Sequence, residues 1–357
     1  MRRYAYDLLA RQTALVLAAW GMPDDAIPVT VRMIVEADAR GIDSHGVSML
    51  PYYSGMVRSG ELAFGERPAI VRESKTTTLV DAGAGLGHEA GVFAMRQAIA
   101  KARDHDVGIA SVFNSHHFGA AGPYAELATE AGMIGIVSTT GRIPVVLPTF
   151  GLDRVLGTNP FAFAAPSRRH GALLLDMSTS VVAANKVKAY AYAGTPLPPD
   201  WVLDAEGSAV ADAAEGERLI FRDMVGGLLP LGGAGTEHGG HKGYGLGLFA
   251  QVLAGALGGG TFPPLRQEGA KDNIGHVFMA IDPKAFRDEG EFEDDIDAMI
   301  DTIKAGRRAD PAQPILVPGD PERAERERRM REGIPLEPTL VEALHRVADD
   351  AGVDFLL

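Results

Sequence analysis

The sequence predicts an α/β protein in which a central domain is bordered by a mostly helical layer. Up to about residue 60, and again after Pro283, apolar residues recur at the 3.6-residue period of helices. Between these two parts, short apolar runs with strand character alternate with helical patterns, which is typical of α/β folds. We therefore expect segments 1–66 and 283–357 to form the helical layer and residues 67–282 to form the α/β domain.

The elements follow in order along the chain. The first part predicts helices over 4–20, 24–40 and 44–58. The middle part predicts strands over 69–73, 77–81, 107–113, 134–139 and 172–176, helices over 89–104 and 123–131, and another helix after residue 176. An apolar helix is expected over 244–257 and a last strand over 276–281. Helices are then expected over 291–304, 321–331 and 338–351.

Composition limits the possible functions. The chain has 357 residues, 46% hydrophobic and 23% charged, which suits a globular protein with a substantial core. A formal net charge of −13 argues against a nucleic-acid partner or a membrane partner. A small anionic substrate would therefore need local Arg, Lys or His. The chain has no cysteine, which excludes disulfides, iron–sulfur clusters and thiolate zinc sites and is compatible with the cytoplasmic location that we expect.

The run Asp43-Ser44-His45-Gly46 is a candidate catalytic segment. Gly41 suits the end of one helix and Ser44 the start of the next, so His45 is expected in the first turn of a helix. Backbone N–H groups and the helix dipole would lower the pKa of the imidazole there, which suits proton exchange with a substrate oxygen. Alternatively, His45 is a polar surface or capping residue.

The glycines of segment 85–90 match the G-x-G-x-x-A pattern of a Rossmann fold and lie between a predicted strand and a helix. The next strand, however, runs into Asn114-Ser115-His116-His117 and not into the acidic residue that would hold a ribose. We therefore interpret these glycines as a turn with close packing between helix and strand.

Other polar or glycine-rich segments follow strands or begin helices. In 114–122 a histidine pair leads into a helix N-terminus, where small residues would let backbone N–H groups approach an anion such as a phosphate. Segments 156–163 and 175–180 suit a site or simply a buried turn and strand. Lys242 among glycines suits a phosphate or carboxylate anchor or a plain loop. Segment 316–322 starts a charged helix with a solvated face. No metal site is predicted, because neighbouring histidines diverge and glycines oppose the H-x-x-H pair at 238–241.

Taken together, these segments resemble the malate/L-lactate dehydrogenase family of the second, non-Rossmann type. This family also includes ureidoglycolate, sulfolactate and diketogulonate dehydrogenases and Δ1-piperideine-2-carboxylate reductases. The resemblance extends nearly end to end and is carried by ADARGIDSHGVS at 37–48, NSHHFG at 114–119, LGTNPFAFAAP at 156–166, DMSTS at 176–180, GLLPLGG at 227–233, HKGYG at 241–245 and LVPGDPE at 316–322.

The resemblance implies a homodimeric NAD- or NADP-dependent oxidoreductase with a mixed-sheet cofactor domain and a site near the subunit boundary. It implies that Ser44 and His45 are the substrate-side catalytic pair and His117 the second catalytic histidine, with His45 favoured as the acid/base. Cofactor contacts are implied for His117, Phe118, Gly119, Ala120, Ala121, Ser138, Asp176, Met177, Ser178, Lys242, Gly319, Asp320 and Pro321. Candidate substrate residues are Tyr53, Arg142 and Met49.

Two positions depart from the family pattern. Met49 stands where an arginine commonly grips a substrate carboxylate, and His116 stands where asparagine is common. Arg142, just after a predicted strand, is either a replacement cation or a surface arginine.

The main hypothesis is hydride transfer between NAD(P)H and C2 of a small 2-oxo or 2-hydroxy acid. One alternative is reduction of a cyclic C=N bond beside a carboxylate, with Met49 bordering the ring. An alternative of another class is a non-catalytic nucleotide-binding or scaffold protein.

Overall fold

The computed structural model describes residues 2–62 and 64–357 and confirms the α/β class. The strands are β1 (Arg2–Tyr4), β2 (Ala69–Glu73), β3 (Thr77–Asp81), β4 (Val107–Ser115), β5 (Ile134–Thr139), β6 (Phe161–Ala165), β7 (Leu173–Met177), β8 (Val202–Leu203), β9 (Gly227–Leu228), β10 (Ile274–Ile281) and β11 (Ile334–Leu336). The helices are α1 (Tyr6–Ala19), α2 (Ile27–Ala39), α3 (Leu50–Arg58), α4 (Gly87–His105), α5 (Gly122–Glu130), α6 (Ala184–Ala193), α7 (Ala213–Arg218), α8 (Gly240–Ala250), α9 (Glu291–Lys304), α10 (Asp320–Glu332) and α11 (Pro338–Ala351).

A mixed sheet forms the centre of the described residues, with seven strands in the order β2-β3-β4-β10-β5-β6-β7. Within it β3 and β4 are parallel, and the other neighbours are antiparallel. Strand β10 lies between β4 and β5, and in its register His276 pairs with Val112 on one side and Thr139 on the other. The last residues of β4 and β5 and the first residues of β10 therefore lie together at one end of these strands.

The turn before α4 confirms the packing interpretation of the glycines at 85–90. The carbonyl of Gly85 accepts the N–H of His116 at 3.2 Å. A Cβ atom on Gly87 would lie 2.6 Å from the carbonyl oxygen of His116, so the helix approaches the end of β4 too closely for any side chain there.

The two ends of the chain share one hydrophobic core. Buried side chains of α1, α2 and α3 pack with those of β11 and α11, and this cluster includes Leu9, Ile34, Tyr53 and Leu344. A second cluster joins the central sheet to α4 and α5. Another, built mainly from residues 145–228, was not predicted. Among the described residues, helix α9 contributes no side chain to the terminal cluster. It contacts the β6–β7 connection, where Ser167 donates a hydrogen bond to Asp297 at 2.7 Å.

Several element boundaries agree with the predictions, including β2, β3, β5, α9 and α11. Other predictions are wrong in detail, among them one strand and one helix. The strand predicted over 276–281 begins at Ile274 and is not the last, because β11 follows it and pairs with β1. The apolar helix predicted from residue 244 begins at Gly240 and continues beyond Ala250 as a π-helical segment, Gln251–Ala256. Among the described residues, no helix combines the length and the apolar character needed to cross a membrane.

Candidate active site

Two predicted catalytic histidines lie side by side. His45 lies in the loop after α2, and His117 follows directly after β4. Their ring centroids are 5.5 Å apart and the ring planes differ by 26°. Burial lowers the pKa of His45 to about 4. Burial, with smaller effects from His45, His88 and His276, holds the pKa of His117 well below its usual value. Both imidazoles are therefore neutral at pH 7.

The helix turn predicted at Ser44 does not form. Residues Val47–Met49 make a single 3-10 turn and α3 begins at Leu50, so Ser44 is not a helix cap and His45 lies outside the helix. The turn is held by Asp38, whose carboxylate accepts the first N–H of the turn at 2.7 Å. The predicted lowering of the His45 pKa has the right direction, but its cause is burial and not a helix dipole.

Each of the two imidazoles has a hydrogen-bonding neighbour on its Nδ1 side. Nδ1 of His45 lies 2.8 Å from the hydroxyl of Ser44. Nδ1 of His117 lies 2.7 Å from the hydroxyl of Tyr53, a fully buried residue of α3. The backbone N–H of Gly119 also donates to that Nδ1, at 3.3 Å. Tyr53 thus joins the helical layer to the segment that carries His117.

A cavity of about 200 Å³ opens beside His45. It contains much of the predicted site, namely Ser44, His45, Gly119, Ala120, Ala121, Asp176, Met177 and Ser178. Its wall also includes Arg40, Thr158, Pro160, Leu174 and Glu322. Ligand pockets usually measure roughly 300–1,000 Å³, so this cavity is smaller than a typical one.

Asp176 occupies the N-terminus of α5. Its carboxylate accepts the N–H of Gly122 at 2.6 Å, and a Cβ atom on Gly122 would lie 3.0 Å from that oxygen. The N–H of Gly122 is therefore occupied by a side chain of the protein and is not free for a bound anion. Burial raises the pKa of Asp176 to about 6, against the opposing effect of the backbone N–H bonds.

Seven predicted cofactor residues do not line this cavity, namely His117, Phe118, Ser138, Lys242, Gly319, Asp320 and Pro321. Phe118 is buried and stacks on His276, with ring centroids 4.6 Å apart. Ser138 lies behind the wall, where its hydroxyl donates to the carbonyl of Pro160 at 2.8 Å. Lys242 is exposed at the start of α8 and lines a different cavity, of about 430 Å³.

The segment Gly319–Pro321 directly precedes Glu322, a residue of the cavity wall, and we call it the rim. The carbonyl of Pro318, just before it, accepts the N–H of Leu174 at 3.2 Å. The carboxylate of Asp320 accepts hydrogen bonds from Lys304 at 3.1 Å and from Arg323 at 2.6 Å. It also accepts the N–H of Val317 at 3.0 Å. The negative charge of Asp320 is therefore balanced by the positive charges of Lys304 and Arg323.

The candidate substrate residues have different surroundings. Arg142 donates to the hydroxyl of Tyr52 at 2.9 Å and to Glu61 at 2.6 Å. Its Nε also lies 2.6 Å from Asp272, so two carboxylates share its charge. Met49 is half-buried and packs against the helical core.

Sequence reasoning missed several buried polar residues around the site. Asp272 contacts Arg142, Arg266 at 2.7 Å and His116 at 3.3 Å. Neither ring nitrogen of the buried His88 has a hydrogen-bond partner among the described residues. The one signal for His88 in the sequence was its position directly after the second glycine of the G-x-G-x-x-A pattern. Nothing in the local pattern indicated Asp272. In the described chain, no group of three or more His, Cys, Asp or Glu side chains could hold a metal ion.

Comparisons with known proteins agree with the resemblance. Residues 4–345 match the sequence profile of the family described as malate/L-lactate dehydrogenase. A malate dehydrogenase of Pyrococcus horikoshii is 39% identical over 356 residues, which cover 99% of this chain and 97% of the relative.

Solved structures give the same result for the fold. The malate dehydrogenase of Entamoeba histolytica superposes with a TM-score of 0.94 at 28% identity, covering 99% of each chain. A Δ1-piperideine-2-carboxylate reductase of Pseudomonas syringae superposes with a TM-score of 0.80 at 26% identity, covering 98% of this chain and 100% of the other.

Proposed function

Since the chain belongs to the malate/L-lactate dehydrogenase family and is an oxidoreductase that acts on hydroxy acids, we propose that it transfers a hydride between a nicotinamide cofactor and C2 of a small 2-oxo or 2-hydroxy acid. The observation that carries this proposal is the stacked pair of neutral imidazoles, His45 and His117, of which His45 lines the small-residue cavity. The bound nicotinamide would supply or accept the hydride. The residues of the chain would bind, orient and exchange a proton with the substrate oxygen.

The proposed catalytic residues are His45, His117 and Ser44. A neutral imidazole can take the proton from a substrate hydroxyl as the C2 hydrogen leaves as hydride, and can return it in the reverse direction. We favour His45 for this exchange, because the hydroxyl of Ser44, 2.8 Å from its Nδ1, can orient the ring. The second imidazole would contact the same substrate oxygen.

The cavity fits the nicotinamide end of a dinucleotide. Its wall is formed by the small residues Gly119–Gly122 and by the polar side chains of Asp176 and Ser178. A Cβ atom on Gly122 would fill space next to the Asp176 carboxylate. That carboxylate can accept hydrogen bonds from a ribose hydroxyl or an amide. The rim at Gly319–Pro321 would meet the rest of the cofactor, NAD or NADP. Phe118, Ser138 and Lys242 remain proposed contacts.

The substrate carboxylate needs a cation, and Arg142 is the proposed one. Its ion pair with Glu61 is half-exposed, so a substrate carboxylate could replace the Glu61 side chain. Met49 would then border an uncharged part of the substrate. Reduction of a cyclic imine is a second candidate function, supported by the similarity to Δ1-piperideine-2-carboxylate reductase; there the proton would go to nitrogen.

We also propose that the protein is a homodimer in the cytoplasm. The surface of α8 and the π-helical segment after it expose large apolar side chains, including Leu246, Phe249, Val252 and Leu257. Such contiguous apolar surface is typical of a protein–protein interface.

An absorbance assay tests the function. Purified protein is mixed with NADH or NADPH and a panel of 2-oxo acids, Δ1-piperideine-2-carboxylate and Δ1-pyrroline-2-carboxylate. We expect oxidation of the cofactor with an oxo acid. Turnover of the imines alone would favour the second candidate, and binding of cofactor without any turnover would contradict both.

A further inference from the structure

Two hydrogen-bonding groups face the Nδ1 atom of His117. The hydroxyl of Tyr53 lies 2.7 Å away and the backbone N–H of Gly119 lies 3.3 Å away. A hydroxyl can donate or accept, but a backbone N–H can only donate. Nδ1 must therefore present its lone pair, and the hydroxyl of Tyr53 must donate as well.

This requirement fixes the tautomer of His117. A neutral imidazole carries a single N–H, so the proton of His117 lies on Nε2. Burial and the neighbouring histidines His45, His88 and His276 hold the pKa of His117 well below its usual value, which keeps the ring neutral near pH 7. Among the described residues, no protein group hydrogen-bonds its Nε2. The side chain is partly exposed, so this N–H is available to a ligand.

His45 has a different environment. Its Nδ1 faces the hydroxyl of Ser44 at 2.8 Å, and that hydroxyl can accept from an Nδ1–H or donate to a lone pair. A ring whose Nδ1–H is accepted by Ser44 presents a lone pair at Nε2, and the same contact is retained when Nε2 becomes protonated. His45 can therefore gain and lose a proton without breaking its support, whereas His117 would gain one only at Nδ1, between two donors.

We propose that His117 acts as a neutral Nε2–H donor to the substrate oxygen, fixed by Tyr53 and Gly119 as positioning groups, and that His45 alone exchanges the proton. This inference rests on the proposed function. In hydroxy-acid oxidation, a bound nicotinamide would accept the C2 hydrogen with its electron pair and would thereby be reduced. The O–H electron pair forms the C=O bond, and the proton goes to Nε2 of His45. Throughout, the N–H of His117 stabilises negative charge on the oxygen, as the donors of an oxyanion hole do.

The direct test is ¹⁵N–¹H NMR of the unliganded protein with ¹⁵N-labelled histidine. The His117 signals are assigned by their loss in His117→Gln. We expect the Nε2–H tautomer, unchanged between about pH 5.5 and 8.5. An Nδ1–H tautomer or protonation within this range would overturn the proposal. Because this readout needs no turnover, it stands even if the proposed substrate class is wrong.

The kinetic test compares His117→Gln, His117→Ala and His45→Gln. A glutamine amide can place an N–H near the position of Nε2 but cannot titrate. We expect His117→Gln to keep kcat within about tenfold of the wild type, and His117→Ala to lose about 10²–10³-fold. His45→Gln should lose about 10²–10⁴-fold, together with the pH dependence of kcat. Equal loss in His117→Gln and His117→Ala, or activity retained in His45→Gln, would refute the division of roles. Absence of turnover in the wild type would refute the proposed function instead.

Discussion

The hydroxyl of Tyr53 lies 2.7 Å from Nδ1 of His117, and this bond connects α3 of the helical layer to the segment after β4. The proposed catalytic arrangement therefore depends on how the two layers pack. A change in either layer that shifts α3 would move the donor away from the imidazole.

Tyr53→Phe removes one of the two donors to His117. A hydrogen bond contributes about 1 kcal/mol, so we expect kcat to fall roughly five- to tenfold. KM for the substrate and the Kd for the cofactor should change little, because the ring of residue 53 still fills its buried place. Steady-state kinetics give kcat and KM, and a fluorescence titration with cofactor gives the Kd. Tyr190→Phe, a tyrosine that packs on Trp201 away from the site, is the control. Identical kinetics for the two variants would contradict the role of the bond.

His88 links stability to pH. Burial, with a smaller effect from His45, lowers the pKa of His88 to about 3. The unfolded residue has a pKa near 6.5, so below that pH the unfolded chain binds a proton that the folded protein does not. This contribution to stability is complete above pH 6.5 and is lost as the pH falls toward 3.

We expect His88→Phe to remove about 2 kcal/mol of the stability loss between about pH 6.5 and 5. The ring nitrogens of His88 have no partners among the described residues, so an apolar ring should be tolerated. Urea unfolding at both pH values gives the difference. His105→Gln, an exposed residue of the same helix, should behave like the wild type. A pH dependence of His88→Phe equal to that of the wild type would refute the assignment.

Arg142 is the proposed anchor for a substrate carboxylate. We expect Arg142→Gln to raise KM for a 2-oxo acid by roughly tenfold or more, as expected for the loss of a charge-assisted bond. Glu61→Gln should lower KM, because the guanidinium would then be shared with one carboxylate fewer. Both values come from initial rates at saturating cofactor. A rise in KM for Glu61→Gln would show that Glu61 orients Arg142 and does not compete with the substrate.

Asp320 neutralises Lys304 and Arg323 at the rim. Asp320→Asn keeps an acceptor for the N–H of Val317 but frees both cations. If the rim meets the cofactor, a 2′-phosphate would gain from these charges, and affinity for NADPH should rise by about tenfold relative to NADH. Fluorescence titration of the cofactor-free protein gives both Kd values. Asp295→Asn, which breaks the exposed pair with Arg287, is the control. An unchanged ratio of Kd values would argue against cofactor contact here.

Local patterns predicted much of this fold, and long-range contacts account for most of the remainder. Helices α9 and α11 carry clear apolar periods and begin and end where the sequence indicated. The pairing of β1 with β11 joins two three-residue strands from opposite ends of the chain, which no local window can reveal. The failed cap at Ser44 has a similar cause, because Asp38 supplies the acceptor that the Ser44 side chain was expected to provide.

In the site, too, local motifs predicted some residues and long-range contacts account for others. His45 and His117 were predicted because each lies in a distinctive motif, and the structure brings their rings together. The ion pair between Asp272 and Arg142 joins two loops that approach each other only in the folded protein. Lys242 was predicted from its glycine-rich context and from the family resemblance, and neither determined which cavity it lines.

The central claim is that His45 exchanges the proton of the reacting substrate oxygen. The most direct test is kcat of His45→Ala with its best 2-oxo acid, measured beside the Kd for cofactor and beside His105→Ala as the control. We predict that kcat falls by about 10²–10⁴-fold while the Kd stays within about twofold. A kcat within about threefold of the wild type, with normal cofactor binding, would contradict the claim.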